Sequence, residues 1–242
     1  MRSPLLGEFM GTMVMMILGD GVVAGVLLKR SKAENSGWIV ITAGWCFAVL
    51  CGIFTAILFG SKAADINPAF ALAGAVQTGA WSTVIPYTLA ETAGAFTGAF
   101  LVWLHYWSHW KVSDDPEAKR AIFCTVPAIR HRAANFFSEV LGTFILVLAV
   151  GALNSRFAVP NGAAPGLSPY LVSCVVWGIG LGLGGTTGYA INPARDFGPR
   201  LAHSILPIHG KGKSDWSYAP IPILGPFLGA LLAAYLLKFI SA

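Results

Sequence analysis

Two triplets mark where this chain could do chemistry: Asn67-Pro68-Ala69 and Asn192-Pro193-Ala194. Asparagine is a good helix N-cap, because its side-chain oxygen accepts a hydrogen bond from a backbone N–H of the first turn. Proline suits the next position, where its missing N–H is no loss. Each triplet therefore starts a helix, and capping through the oxygen leaves the amide NH₂ to point elsewhere. One such triplet is an ordinary helix start. Two at matching places are a device.

Other chemistry is thinly represented. The five histidines (His105, His109, His131, His203, His209) fall in loops and at the ends of apolar runs, without ligand spacing on one helix face. The four cysteines show no CxxC spacing and read as small buried hydrophobes. No nucleophile, base and orienting group cluster, so neither an enzyme nor a metal or cofactor site is expected. Net charge is +5, but the basic residues sit in short connectors between apolar runs, which argues against a nucleic-acid face.

The elements that must position the triplets are hydrophobic. The chain is 55% hydrophobic and 11% charged, where soluble domains carry about 25% charged residues. The bilayer is its expected partner. A spanning helix needs about 20 mostly apolar residues. Six stretches come near that length: Leu5–Leu28, Trp38–Gly60, Val84–Trp107, Phe137–Leu153, Tyr170–Gly185 and Ile221–Ile240. Pro68–Gly79 and Pro193–Leu206 are too short to cross, and each begins just after its Asn.

The two halves echo each other. Glu8-Phe9-Met10-Gly11-Thr12 matches Glu139-Val140-Leu141-Gly142-Thr143, the two Asn-Pro-Ala triplets follow in order, and Gly94 and Gly98 pair with Gly225 and Gly229. The chain 1–242 then reads as a single unit with a repeat, 1–107 and 134–242, joined by a connector, 108–133. Three spans per repeat is an odd number, so the second copy must lie upside down in the membrane. Inverted repeats put the working site near the midplane. Two half-helices would meet there tip to tip. Their lead-in segments, Ser61–Ile66 and Gly184–Ile191, would cross membrane depth with unpaired carbonyls, tolerated only inside protein or along a watery path. A pore follows, with acceptors on one wall, two Asn donors at its centre and converging helix dipoles that disfavour cations and protons.

The double Asn-Pro-Ala, the Glu-x-x-Gly-Thr pair and the six-plus-two pattern resemble the aquaporin superfamily over essentially the whole chain. The fold implied is all-α: six transmembrane helices plus two re-entrant half-helices in an inverted repeat. Asp196 after Arg195, together with Arg200, Pro222 and Ile223, is similar to the glycerol-conducting branch. The resemblance implies a passive channel for glycerol, water and other small uncharged solutes in the cell membrane, termini cytoplasmic, as a homotetramer. It also implies a narrow filter made by Trp45, Gly180, Tyr189 and Arg195, and pore-lining carbonyls from Ala63, Ala64, Asp65, Ile66, Thr186, Thr187, Gly188 and Ala190. Missing bulk at Gly180 is expected to widen the passage, while Trp45 and Tyr189 face CH groups and Arg195 donates to hydroxyls. Lactic acid, dihydroxyacetone and urea would fit a similar slot. An ion-coupled transporter is the alternative class, although the midplane offers neutral asparagines where coupling wants ionisable groups.

Some residues depart from the pattern or stand apart from it. Lys62-Ala63-Ala64-Asp65 stands where the family often has Gly-Ala-His. A structural Lys62–Asp65 pair is expected, with a pH-sensitive vestibule as the sharper idea. Glu8 and Glu139 are read as structural acids that hold the lead-in segments, while Asp20 and Glu91 are placed near interfaces. The glycines from Gly178 to Gly185 are expected to allow close helix approach. Charge bias argues against cytoplasmic termini, since ten cations would then lie outside: Lys29, Arg30, Lys32, Lys111, Lys119, Arg120, Arg130, Arg132, Lys211 and Lys213. The connectors Ser31–Gly37 and Ser108–Ala134 carry no readable function.

Overall fold

The computed structural model describes residues 2–240, so Met1, Ser241 and Ala242 of the expected 1–242 unit lie outside the described residues. Its α-helices are α1 (Pro4–Leu27), α2 (Trp38–Phe59), α3 (Pro68–Thr78), α4 (Val84–His105), α5 (Pro116–Phe123), α6 (Arg132–Leu153), α7 (Leu167–Gly182), α8 (Pro193–Ile205) and α9 (Pro220–Ile240). The six expected spans and two short helices are all there. Helices α1, α2, α6 and α9 are long and apolar enough to cross a membrane. α4 has 22 residues but buries Glu91. α7 has only 16 helical residues, about 24 Å at 1.5 Å each.

Capping sets the boundaries. α6 starts at Arg132, earlier than the apolar run suggested, because the His131 ring accepts from Ala134 N while Asn135 Oδ1 accepts from His131 N. α7 stops earlier than expected, where Leu183 N and Gly184 N both turn back to the Ile179 carbonyl.

The glycines of the four inner helices let backbones touch. A Cβ on Gly94 would lie 2.3 Å from the Phe9 carbonyl oxygen, and one on Gly229 would lie 2.3 Å from that of Val140. Backbone cannot yield, so only glycine fits. Phe9 and Val140 are equivalent residues of the two Glu-x-x-Gly-Thr turns. The structurally equivalent glycines are therefore Gly94 and Gly229, one turn away from the expected pairing of Gly94 with Gly225. The glycine run in α7 behaves otherwise: Gly178, Gly182 and Gly185 face open space, and only Gly180 and Gly184 are crowded. Close approach to α2 is confined to these two, where an added Cβ would lie 3.0 Å from Thr42 Cγ2 at Gly180 and 2.9 Å from Trp38 Cζ2 at Gly184.

Both ends of the described chain reach one face of the bundle. Ser3 N donates to Phe59 O at the end of α2, and Lys238 Nζ donates to Val76 O at the end of α3. The outer surface is apolar, with Ile39, Phe47, Leu58, Ile85, Leu89, Leu232 and Phe239 among its exposed side chains. A face of that kind belongs against lipid or another apolar surface.

Candidate functional site

The tips of α3 and α8 meet. Asn67 Oδ1 caps its helix by accepting from Ala69 N at 2.9 Å, and Asn192 Oδ1 accepts from Ala194 N at 3.0 Å and Arg195 N at 3.2 Å. The amide groups then cross over. Asn67 Nδ2 donates to Ile191 O at 2.9 Å, and Asn192 Nδ2 donates to Ile66 O at 2.8 Å. An amide NH₂ has two hydrogens, so one is held by the opposite loop and the other is left for the cavity that both asparagines line.

Each tip is aimed by a buried carboxylate. Glu8 accepts from Ser61 Oγ, from Asp65 N at 3.0 Å and from Ile66 N at 2.7 Å. Glu139 accepts from Ala190 N at 3.1 Å and Ile191 N at 2.9 Å, with Thr187 buried beside it. The same two positions before each Asn are held in each half. The backbone bends to allow it: Ala64 and Ile66 have φ of 49° and 43°, and Tyr189 and Ile191 have φ of 37° and 43°. Left-handed isoleucine is strained, by about 1–3 kcal/mol. Adjacent N–H groups thereby converge on the carboxylate, and a charge-assisted hydrogen bond is the kind of contact strong enough to hold them there.

A cavity of about 390 Å³ runs along both loops, from Lys62, Asn154 and Ser168 at one end to Trp45, Tyr189 and Arg195 at the other. Ala63, Ala64, Asp65, Ile66, Gly188, Ala190 and Ile191 line it, and Met15, Val49, Ile53, Phe70, Leu146, Val150, Val172 and Val176 form an apolar wall. Arg195 Cζ lies 4.3 Å from the centroid of the Trp45 ring, a cation–π contact.

Four expectations change. Gly180 does not line the cavity. A Cβ there would lie 2.8 Å from Tyr189 Cζ, so the room left by Gly180 is taken by the Tyr189 ring and does not itself widen the passage. Trp38 supports the same ring edge-on, with centroids 5.8 Å apart, and its Nε1 donates to the Gly180 carbonyl. Thr186 and Thr187 lie off the cavity; the Thr186 carbonyl accepts from Ala128 N of the connector instead. Lys62 and Asp65 form no ion pair with each other: Lys62 is exposed, and Asp65 is half-buried with its backbone N–H donating to Glu8.

Asp196 and Arg200 form a fully buried ion pair one helical turn apart, with Arg200 Nε on Asp196 Oδ1 at 2.6 Å and Nη2 on Oδ2 at 2.8 Å. Asp196 also accepts from Thr125 N and Oγ1, and Arg200 donates to the carbonyls of Thr125, Ser214 and Asp215. The connector is thus bolted to α8. That is a function which its polar composition did not advertise. Pro222 is buried in the first turn of α9, and Ile223 beside it is half-buried, away from the cavity.

A family model described as major intrinsic protein matches residues 2–237. This chain belongs to that family. Among its relatives, a protein of Thermotoga maritima named "probable glycerol uptake facilitator protein" is 52% identical over 98% of this chain and 99% of its own. A Lactiplantibacillus plantarum protein named "D/L-lactic acid transporter" is 43% identical, covering 97% and 96%. The X-ray structure of the aquaglyceroporin from Plasmodium falciparum superposes with a TM-score of 0.83 at 25% identity, over 98% of this chain and 96% of that one.

Two further acids gain partners in this major intrinsic protein. Glu91 and Asp20 are fully buried within the helix bundle. Glu91 accepts from Asn67 N at 3.0 Å, and Asp20 Oδ1 lies 3.6 Å from Arg195 Nη1. The signal was available in the residue types. An acid inside an apolar span needs a partner, and each had a donor unaccounted for in a re-entrant segment.

Proposed function

We propose that the protein is a passive channel of the cell membrane for glycerol, water and other small uncharged solutes, excluding ions and protons. The observation that carries this is the reciprocal crossing of Asn67 and Asn192 inside one cavity with an apolar wall opposite a backbone-lined one. A polyol has the same two-sided character. Its CH groups would rest on Trp45 and the Val and Ile wall, its hydroxyls on Arg195 and on the carbonyls of Ala63 to Ile66, Gly188 and Ala190. Water lost on the way in is replaced by fixed partners, so the barrier stays low without any change of state in the protein. At the centre, two amide donors and two helix N-termini present positive dipole ends, which disfavour cations and break a chain of proton-passing water.

In this reading Trp45, Tyr189 and Arg195 form the narrow part, with Gly180 acting as the seat for Tyr189. The repeat is inverted, 1–107 against 134–242. The shared face of the chain ends is cytoplasmic, and four copies assemble with one passage each. The charge bias runs against that orientation, which rests on the family resemblance. Of the ten cations on the opposite face, Lys29 and Arg120 pair with nearby glutamates, Arg130 pairs with Asp215, and Lys119 and Lys211 cap backbone carbonyls. Lys119 and Lys211 thus serve backbone contacts, whereas the pairs of Lys29, Arg120 and Arg130 are exposed and contribute little to stability. The relative named for lactic acid supports a second solute, the neutral acid, whose small frame carries a hydroxyl and a carboxyl group beside a methyl group.

Stopped-flow light scattering on proteoliposomes tests the proposal. Glycerol and water fluxes should rise well above empty vesicles, show no dependence on sodium or proton gradients, and stop at equal concentrations. Accumulation of solute against its gradient would sink the channel reading and favour a coupled transporter.

A further inference from the structure

We propose that Asp20 is a positioning residue that pins the guanidinium of Arg195 against Trp45 and so sets which solutes the passage selects. The proposal rests on the reading of the cavity as the solute path.

Asp20 is completely buried in α1, and both of its oxygens lack a hydrogen-bond donor. It does not line the cavity. Among the described residues, the cation within ion-pair reach of it is Arg195, at 3.6 Å, and Arg195 Nη1 in turn has no hydrogen-bond partner. Arg195 is itself buried, with 6% of its surface exposed. The residue preceding Asp20 fixes the other side of the arrangement. A Cβ on Gly19 would lie 2.4 Å from the Trp45 ring, so that ring packs directly against the α1 backbone where a side chain would otherwise stand. The guanidinium lies over the same ring, 4.3 Å from its centroid. Gly19 seats the tryptophan, the tryptophan carries the arginine, and Asp20 holds the arginine by its charge.

A buried charge without a partner is strongly unfavourable, whereas a paired one is tolerated. Arg195 alone could escape by swinging across the passage toward water, as long cationic side chains do. With Asp20 behind it, the favourable position is back against the wall. The opening left in front is then fixed, and the remaining guanidinium N–H groups face the solute in one geometry. At 3.6 Å the contact is ionic and exceeds hydrogen-bond length, so it restrains the head group by charge and leaves its donors to the passage.

The test compares the parent with Asp20→Asn, Arg195→Val and the double variant, each reconstituted for stopped-flow glycerol and water flux and melted in detergent. Asp20→Asn should lower the glycerol-to-water permeability ratio by about fivefold, the size expected for one coupled contact, with water flux retained. In the Arg195→Val background the same Asp20→Asn change should leave the ratio unaltered, and the double variant should melt above Arg195→Val, which strands a buried carboxylate. An unchanged ratio in a normally melting Asp20→Asn protein would overturn the inference. So would an equal drop in both backgrounds, or a double variant that melts below Arg195→Val. If Asp20→Asn does not fold, the melting comparison between Arg195→Val and the double variant still decides. A parent that conducts neither solute would instead defeat the channel reading.

Discussion

The two re-entrant loops reach the same geometry by different supports. The first loop, 61–67, is held by acids of the bundle: Glu8 accepts from Ser61, Asp65 and Ile66, and Glu91 accepts from Asn67. The second loop, 184–192, has Glu139 on two amides, and α8 beyond it is tied to the connector through Asp196, Arg200 and Thr125. By the glycine contacts, the residue of α9 equivalent to Glu91 is Pro226, which cannot accept from a backbone amide through its side chain. One half is held wholly from within the helices; the other is held by α6 and, in addition, from outside by the connector 108–133. The half that carries Arg195 and Tyr189 is the one with external bracing. Selective residues sit on the scaffold with the most cross-links, as precise sites generally need.

The largest effect that would break this contrast comes from Arg200→Met. It leaves the buried Asp196 charge without its cation and removes the Arg200 donors to the Thr125, Ser214 and Asp215 carbonyls, so it should lower stability by about 3–5 kcal/mol, read as a fall in melting temperature. Restoring charge balance with Asp196→Asn in the same protein should recover part of the loss. Glu8→Gln follows: it weakens three charge-assisted hydrogen bonds, each of about 1.5–3 kcal/mol at most, and should destabilise more than Glu139→Gln, which weakens two from backbone amides. Equal losses would mean that Thr187 completes the second site. Gly180→His sharpens the contrast at the passage itself. The new ring must drive Tyr189 out of its seat, so glycerol flux should fall by about tenfold, a barrier increase near 1.4 kcal/mol, with a smaller loss for water. The smallest effect is expected at the rim of the bolt, where Arg130 pairs with Asp215. Partial burial pushes the Asp215 carboxyl up, but hydrogen bonds from Arg130 and Ser217 outweigh it and hold the group below its ordinary range. A depressed carboxyl contributes stability above the ordinary value of about 3.9 and loses it as pH falls through the folded value. Arg130→Ala should therefore cost under about 1 kcal/mol at pH 7, and the difference from the parent should shrink as the pH of the melt is lowered below the ordinary carboxylate value.

Much of the architecture was legible because it is written in apolar run lengths and in two repeated triplets that need no tertiary context. Asn67 and Asn192 declared their own roles through capping chemistry, and Glu8 and Glu139 through their matching Gly-Thr turns. What was hidden depended on distance in three dimensions. Asp20 and Glu91 were visible as buried acids, but their partners lie in segments far along the chain. Gly180 was read by its lack of bulk alone, whereas its meaning comes from the ring that fills the gap. Thr125 is an ordinary loop residue until Asp196 is placed against it. The pairing of Gly94 with Gly225 was numerically attractive, yet helix packing compares contacts and not counts, and it selected Gly229.

The crossed amides of Asn67 and Asn192 carry one last implication. Each half of the molecule supplies the carbonyl that completes the other half's tip, so neither tip can be finished alone. Synthesis of the first three spans yields a loop whose central acceptor has no donor, and only docking of the second half closes both gaps in the same event. The conducting centre is thus an interface that happens to lie within one chain, and two separately produced halves should have to find each other before any vesicle leaks glycerol.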